Sequence, residues 1–174
     1  GRWDYSIMVY DLIIVGGGPA AAGAGVYAAR KKMKTLLVAE SFGGQSLVSN
    51  DIQNWIGAPS LTGLDLAKML EGHLRVYQPD LEILEGDLVN RVAKKDGHFL
   101  VTTKNAREAE AKTLLICSGS RRRRLGVAGE DRLDGKGVAW CATCDAPLYQ
   151  GKAVAIIGGG NAGLESALDL NAYA

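Results

Sequence analysis

Tyr10-Asp11-Leu12-Ile13-Ile14-Val15-Gly16-Gly17-Gly18-Pro19-Ala20-Ala21 is the stretch on which the fold turns. Tyr10–Val15 is a short β-rich run halted by glycine, the pattern of a buried strand. Pro19–Arg30 is alanine-rich with no further proline, which predicts a helix packed closely on a sheet. Thr35–Ala39 is a second apolar strand, and strand, glycine turn, helix, strand makes one βαβ unit. Residues 16–21 read as G-x-G-x-x-A. Gly16 permits the tight turn, Gly18 lets the backbone approach a pyrophosphate, and Ala21 is small enough for helix and strand to pack. The helix N-terminus then offers free N–H groups and the positive end of its dipole. Glu40 ends the second strand, at roughly the 20-residue distance where a carboxylate can hold a ribose hydroxyl. Gly16, Gly18, Pro19, Ala20 and Glu40 are therefore candidate nucleotide-binding residues. A glycine turn that merely packs is the bland alternative, and the turn alone does not separate FAD from NAD.

Working outward, Thr62-Gly63-Leu64-Asp65 resembles a capping box that opens a helix, with Leu66, Met69, Leu70, Leu74 and Tyr77 at helical spacing. Leu81–Leu84, Leu88–Val92, Phe99–Thr103 and Lys112–Cys117 predict strands, the second and third of these joined by the turn Lys95-Asp96-Gly97. A Ser, Gly and Arg stretch follows, and a domain boundary is placed there. Ala153–Ile157 then repeats the opening strand and Leu164–Leu170 the helix. Gly158 stands 142 positions after Gly16, too long a period for a solenoid and the offset expected of two nucleotide-binding domains. The fold class is thus α/β: a three-layer, Rossmann-like domain, its parallel sheet extended by antiparallel strands, over residues 8–118. A linker spans 119–124, and the start of a second nucleotide domain spans 125–174. That second domain stops in its first helix, so the sequence reads as a fragment of a longer protein. Met8 reads as the natural start, with the preceding stretch a foreign remnant.

The chain has 174 residues, a formal charge of +1 and 47% hydrophobic residues. Bulk charge argues for neither nucleic acid nor membrane as partner. No apolar run approaches the roughly 20 residues of a membrane span. Three cysteines make no secreted disulfide framework, and their usage fits a reducing compartment.

Two of the cysteines form Cys141-Ala142-Thr143-Cys144, followed by Asp145. Such spacing lets the thiols close a small ring, and a helix N-terminus there lowers a thiol pKa. Asp145 could shuttle a proton as the ring opens and closes. A zinc half-site would need further ligands, and only Cys117, His73 and His98 are on offer at scattered positions. No metal is expected. A structural disulfide is the other alternative.

Cys141–Asp145, followed closely by Val154–Asn161, resembles the low-molecular-weight thioredoxin reductases and the flavoprotein component of alkyl hydroperoxide reductase. Further likenesses are Phe42-Gly43-Gly44-Gln45, matching a loop under the flavin, and Gln53-Asn54-Trp55-Ile56-Gly57, matching an E-N-x-x-G segment with Gln for Glu. Ser118-Gly119 stands where the family has Thr-Gly. The resemblance covers nearly everything from Met8 onward. It implies an enzyme that passes electrons from NADPH or NADH through FAD to a Cys141–Cys144 disulfide, and on to a thioredoxin-like protein, with a peroxiredoxin-system protein as the alternative acceptor. Cys144 would face the flavin, Cys141 would attack the acceptor, and Asp145 would be the acid/base. Gly44, Gln45, Asn54, Val89, Ser118 and Gly119 join the FAD set. Gly158, Gly160, Asn161, Ala162 and Glu165 match the nicotinamide-nucleotide turn. A homodimer and a cytoplasmic location are implied as well. A non-catalytic flavin-binding module is the competing class, and the intact Cys-x-x-Cys-Asp argues against it. The chain as written is expected not to sustain nicotinamide-driven turnover alone. Ala128 and Cys117 depart from the family pattern, and Cys117 is read as a buried small hydrophobe. Arg121–Arg124 reads as a solvated linker, or more sharply as an attractor of an acidic partner or of the NADP phosphate.

Overall fold

The computed structural model describes residues 9–120 and 123–174. The readings placed on Met8 and on the first half of the arginine run lie outside the described residues. The chain divides into two compact units, one ending at Ser120 and the other running to Ala174.

The first unit is built on a six-stranded sheet in the order β3-β2-β1-β6-β5-β4. The strands are β1 (Val9–Val15), β2 (Thr35–Ala39), β3 (Leu81–Glu85), β4 (Val89–Lys95), β5 (His98–Thr103) and β6 (Glu108–Ile116). β3, β2, β1 and β6 run parallel, while β5 is antiparallel to β6 and β4 to β5. Among the described residues of this unit the α-helices are α1 (Pro19–Arg30) and α2 (Gly63–Arg75), with a short 3-10 helix at Gly44–Val48. All the predicted strands of this unit form. β6 begins four residues before its expected start, because Glu108–Ala111 alternates polar and small residues as a half-buried strand does. Ala109 and Ala111 are buried there and pair with Val101 and Phe99. β4 and β5 are joined through Asp96 and Gly97, both at positive φ as a tight hairpin turn requires.

Alternation along the central strands sends side chains to two cores. Tyr10, Ile13, Val15, Leu36 and Val38 meet Val101, Ala109 and Ala111 on one face, with Val89 beside them. Ile14, Leu37 and Ala39 meet α1 and α2 on the other, through Ala21, Ala22, Ala29 and Leu74. The small residues of α1 let it lie close on the strands. Each fully buried Ile or Leu contributes about 1.5–3 kcal/mol relative to exposure. The Thr62 hydroxyl accepts the Asp65 N–H at 3.1 Å and donates to the Asp65 carboxylate at 2.7 Å, so the expected cap opens α2. Leu66 and Leu74 face the core, whereas Met69 lies on the exposed side of the helix.

Asp87 fixes the corner between β3 and β4. Its N–H donates to the Ala39 carbonyl at 3.4 Å. Its buried carboxylate accepts from Thr103 Oγ1 at 2.7 Å, Leu88 N at 2.9 Å and Asn105 N at 3.3 Å. Burial pushes this carboxyl upward. The three hydrogen bonds and the Arg107 charge outweigh it and hold the group below its ordinary value. A depressed folded pKa gives stability that is complete above the unfolded pKa and lost as pH falls through the folded one. Asp87→Asn is therefore expected to lower stability by about 1–3 kcal/mol at pH 7. The deficit should shrink as urea denaturation is repeated from pH 5 downward.

The second unit contains α3 (Glu130–Leu133), α4 (Ala142–Asp145) and α5 (Asn161–Leu170). The buried Glu130 carboxylate accepts the N–H groups of Leu125 at 3.0 Å and Gly126 at 2.7 Å and so holds the entry loop. Arg124 is not a free linker charge. It pairs with Asp131 at 2.9 Å and Asp134 at 3.0 Å, and lies 5.6 Å from the centre of the Trp140 ring. The strand expected at Ala153–Ile157 does not form: these residues join no ladder and are exposed. The reason is physical, since an apolar run becomes a strand only beside a partner strand, and the described residues of this unit supply none.

Candidate functional site

The parallel register brings the carboxyl ends of β1, β2 and β6 level, with Val15 opposite both Val38 and Ile116. In such sheets the ligand crevice lies outside those ends. The glycine turn occupies this position. Gly16 sits at φ +126°, and a Cβ there would overlap the Cys117 carbonyl oxygen. A Cβ on Gly17 would overlap the Ser41 carbonyl oxygen and come within 2.9 Å of Ala39 Cβ. Gly18 differs. Its backbone is ordinary (φ −81°, ψ −177°), and a Cβ would meet nothing nearer than Gly44 Cα at 4.0 Å. Pro19 opens α1, Ala20 is exposed, and no side chain caps the helix. An open backbone at Gly18 before an uncapped helix N-terminus is a cradle that suits a dinucleotide pyrophosphate.

The loop after β2 lies against this turn. Gly43 N–H donates to the Gly17 carbonyl at 2.9 Å, and Gly44 takes φ +57°. The Gln45 amide donates to the Ser120 hydroxyl at 2.9 Å and to the Ser120 carbonyl. Cys117 N–H donates to Val15 O at 2.8 Å, so Ser118 and Gly119 leave β6 beside the glycine turn. Glu40 is exposed one residue past β2. Val89 enters β4 two residues after Asp87, whose N–H meets the end of β2. Asn54 stands apart from these bonds, exposed on the loop closed by the Ile52–Leu61 bridge. Cys117 is half-buried rather than fully enclosed, and its partial burial pushes the thiol pKa up.

In the second unit Cys141 and Cys144 form a disulfide with their Cα atoms 5.3 Å apart. Cys141 is the N-cap of α4, its sulfur accepting the Cys144 N–H at 3.2 Å. Cys144 is the more exposed of the two, and Asp145 closes the turn by donating its N–H to the Cys141 carbonyl at 2.9 Å. The preceding residue, Trp140, is fixed by its indole N–H donating to Asp134 at 2.8 Å. Thr143 Oγ1 donates to Asp169 Oδ2 at 2.8 Å, which ties α4 to α5. α5 begins at a second glycine turn whose backbone repeats the first: Gly158 has φ +122° and Gly160 has φ −84°, ψ 177°. Asn161, Ala162 and Glu165 are on its opening turns, with Asn161 and Ala162 at the very start. Among the described residues no cluster of His, Cys, Asp and Glu could hold a metal ion, and no helix is long and apolar enough to cross a membrane.

The family model described as pyridine nucleotide-disulphide oxidoreductase matches residues 10–174. The chain belongs to that family. It is 44% identical to a component of the alkyl hydroperoxide reductase of Xanthomonas campestris pv. phaseoli, over 92% of this chain and 30% of the relative. It is likewise 44% identical to an NADH dehydrogenase of Bacillus subtilis (strain 168), over 92% of this chain and 31% of the relative. The crystal structure of thioredoxin reductase from Streptococcus pyogenes MGAS5005 superposes with a TM-score of 0.84 at 31% identity, covering 95% of this chain and 53% of that one. The chain thus spans about a third of the length of the curated relatives it matches.

Several residues of this pyridine nucleotide-disulphide oxidoreductase chain were missed from the sequence. Gly163 is the third glycine of the second turn, where a Cβ would overlap the Gly158 carbonyl oxygen. Its signal was available, since it stands at the same offset from Gly158 as Ala21 from Gly16. Gly17 and Ser120 gave no such signal, because their roles depend on Ser41 and Gln45 coming near in space.

Proposed function

We propose that the full-length protein is an FAD-dependent disulfide reductase that draws on NADPH or NADH and delivers electrons to a protein disulfide. The observation that carries this reading is the closed Cys141–Cys144 pair at a helix N-cap, in a chain that also holds two glycine turns of one geometry. The turn at Gly16–Ala20, with Glu40, Gly44, Gln45, Asn54, Val89, Ser118 and Gly119, would hold FAD. The turn at Gly158–Ala162, with Glu165, would hold the nicotinamide nucleotide. Bound FAD supplies two-electron exchange between a nicotinamide and a disulfide. Cys144 takes the electron pair as the bond to Cys141 breaks, and Asp145 moves the accompanying proton. The Cys141 thiolate, stabilised by the Cys144 N–H, then attacks the acceptor's disulfide and releases one acceptor thiol, and Cys144 displaces the other as the Cys141–Cys144 bond re-forms.

The acceptor is a thioredoxin-like or a peroxiredoxin-system protein. The 44% identity to an alkyl hydroperoxide reductase component supports the second. Anaerobic addition of NADPH or NADH to the full-length protein tests the proposal. The flavin absorbance should bleach and two new thiols should appear, both from Cys141 and Cys144. Bleaching without new thiols would overturn it.

A further inference from the structure

We propose that Asp169, acting through Thr143, is a positioning residue for the Cys141–Cys144 pair. The inference rests on the preceding reading only in taking this pair to open and close. Thr143 lies inside the ring that the disulfide closes, and its hydroxyl donates to Asp169 Oδ2 at 2.8 Å. When the sulfur–sulfur bond opens, the restraint that holds the two Cα atoms 5.3 Å apart is lost. Two of the bonds that remain lie within the motif and move with it: Asp145 N–H to the Cys141 carbonyl, and Cys144 N–H to the Cys141 sulfur. The bond to Asp169 reaches a different helix, α5. A helix of four residues does not stand without such support. The upstream flank is already fixed by Trp140 and Asp134. Asp169 therefore holds the interior of the motif, keeping each sulfur within closing reach of the other and raising the effective concentration of one thiol at its partner.

Exchange with glutathione reads this directly. Two glutathione thiols reduce the protein disulfide to two protein thiols and leave as one glutathione disulfide, so electrons and protons balance. The full-length protein is equilibrated in glutathione buffers, thiols are trapped by alkylation, and the peptide carrying Cys141 and Cys144 is measured by mass spectrometry. Asp169→Ala and Thr143→Val should each shift the equilibrium about tenfold toward the dithiol, as expected for one hydrogen bond to a charged acceptor. For a two-electron couple that is about 30 mV. The double variant should shift no further than either single one. Asp169→Asn keeps an acceptor oxygen without the charge, and Thr143→Ser keeps the hydroxyl. Both should stay within about threefold of the parent. No shift in the first two variants, additive shifts, or an Asp169→Asn shift as large as that of Asp169→Ala would overturn the proposal. If one of the first two variants fails to fold, the other carries the test. The measurement reads the cysteine pair against glutathione and uses no nicotinamide, so a failure of electrons to reach the pair from a nicotinamide would sink the proposed function and leave this equilibrium shift standing.

Discussion

Cys144→Ser in the full-length protein is expected to leave the flavin bound and to lower reduction of a protein disulfide by on the order of a thousandfold or more. Serine fills nearly the same space, and the N–H that meets the Cys141 sulfur belongs to the backbone, so the N-cap geometry should survive. What disappears is a sulfur able to exchange bonds with its neighbour. Nicotinamide oxidation by a one-electron acceptor such as ferricyanide, which needs no protein thiol, should stay near the parent rate. Loss of both activities would point to a folding defect. Retention of disulfide reduction would overturn the role given to Cys144. The assay is a steady-state comparison of the two acceptors with one preparation.

The second large effect is expected at Gly18. Gly18→Ala should cost no more than about 1 kcal/mol of stability: alanine is a poorer N-cap than glycine, but the φ and ψ suit it and the new Cβ meets only Gly44 Cα at 4.0 Å. Flavin affinity should nevertheless fall by roughly 10- to 100-fold, or about 1.4–2.8 kcal/mol, because the added methyl stands where a pyrophosphate must approach the backbone. Gly17→Ala is the control in the opposite sense. Its Cβ would overlap the Ser41 carbonyl oxygen, so it should cost about 1–3 kcal/mol or more of folding stability. Thermal unfolding and flavin titration of the two variants separate a residue that serves the ligand from one that serves the fold. Equal flavin affinity in Gly18→Ala and the parent would remove the cradle as a reason to place FAD there.

The sheet of the first unit was legible because its strands are apolar or alternating runs bounded by glycine and polar turns. Residues 10–15, 35–39 and 99–103 carry the pattern without ambiguity, and each becomes a strand. Ala153–Ile157 carries the same pattern and does not, because periodicity records what a segment prefers to bury and not whether a neighbouring strand is present. At the site, glycines with positive φ announce themselves through spacing, as Gly16 and Gly158 do. Pairings between distant residues do not. Nothing in the local sequence of Thr143 or Asp169 signals their contact, and the same holds for Gln45 and Ser120, which lie 75 positions apart. Arg124 shows the reverse case, since a run of like charges suggests solvent, whereas its salt bridges and the Trp140 ring engage it within the second unit.

β6 pairs antiparallel with β5 through its first half and parallel with β1 from Glu110 onward, and it ends just before Cys117, whose carbonyl crowds Gly16. It is the seam of the sheet. The hairpin of β4 and β5 cannot peel away without loosening the strand beside the Gly16 turn, so a disturbance far out on the hairpin would be felt as slack in the turn proposed to hold the dinucleotide.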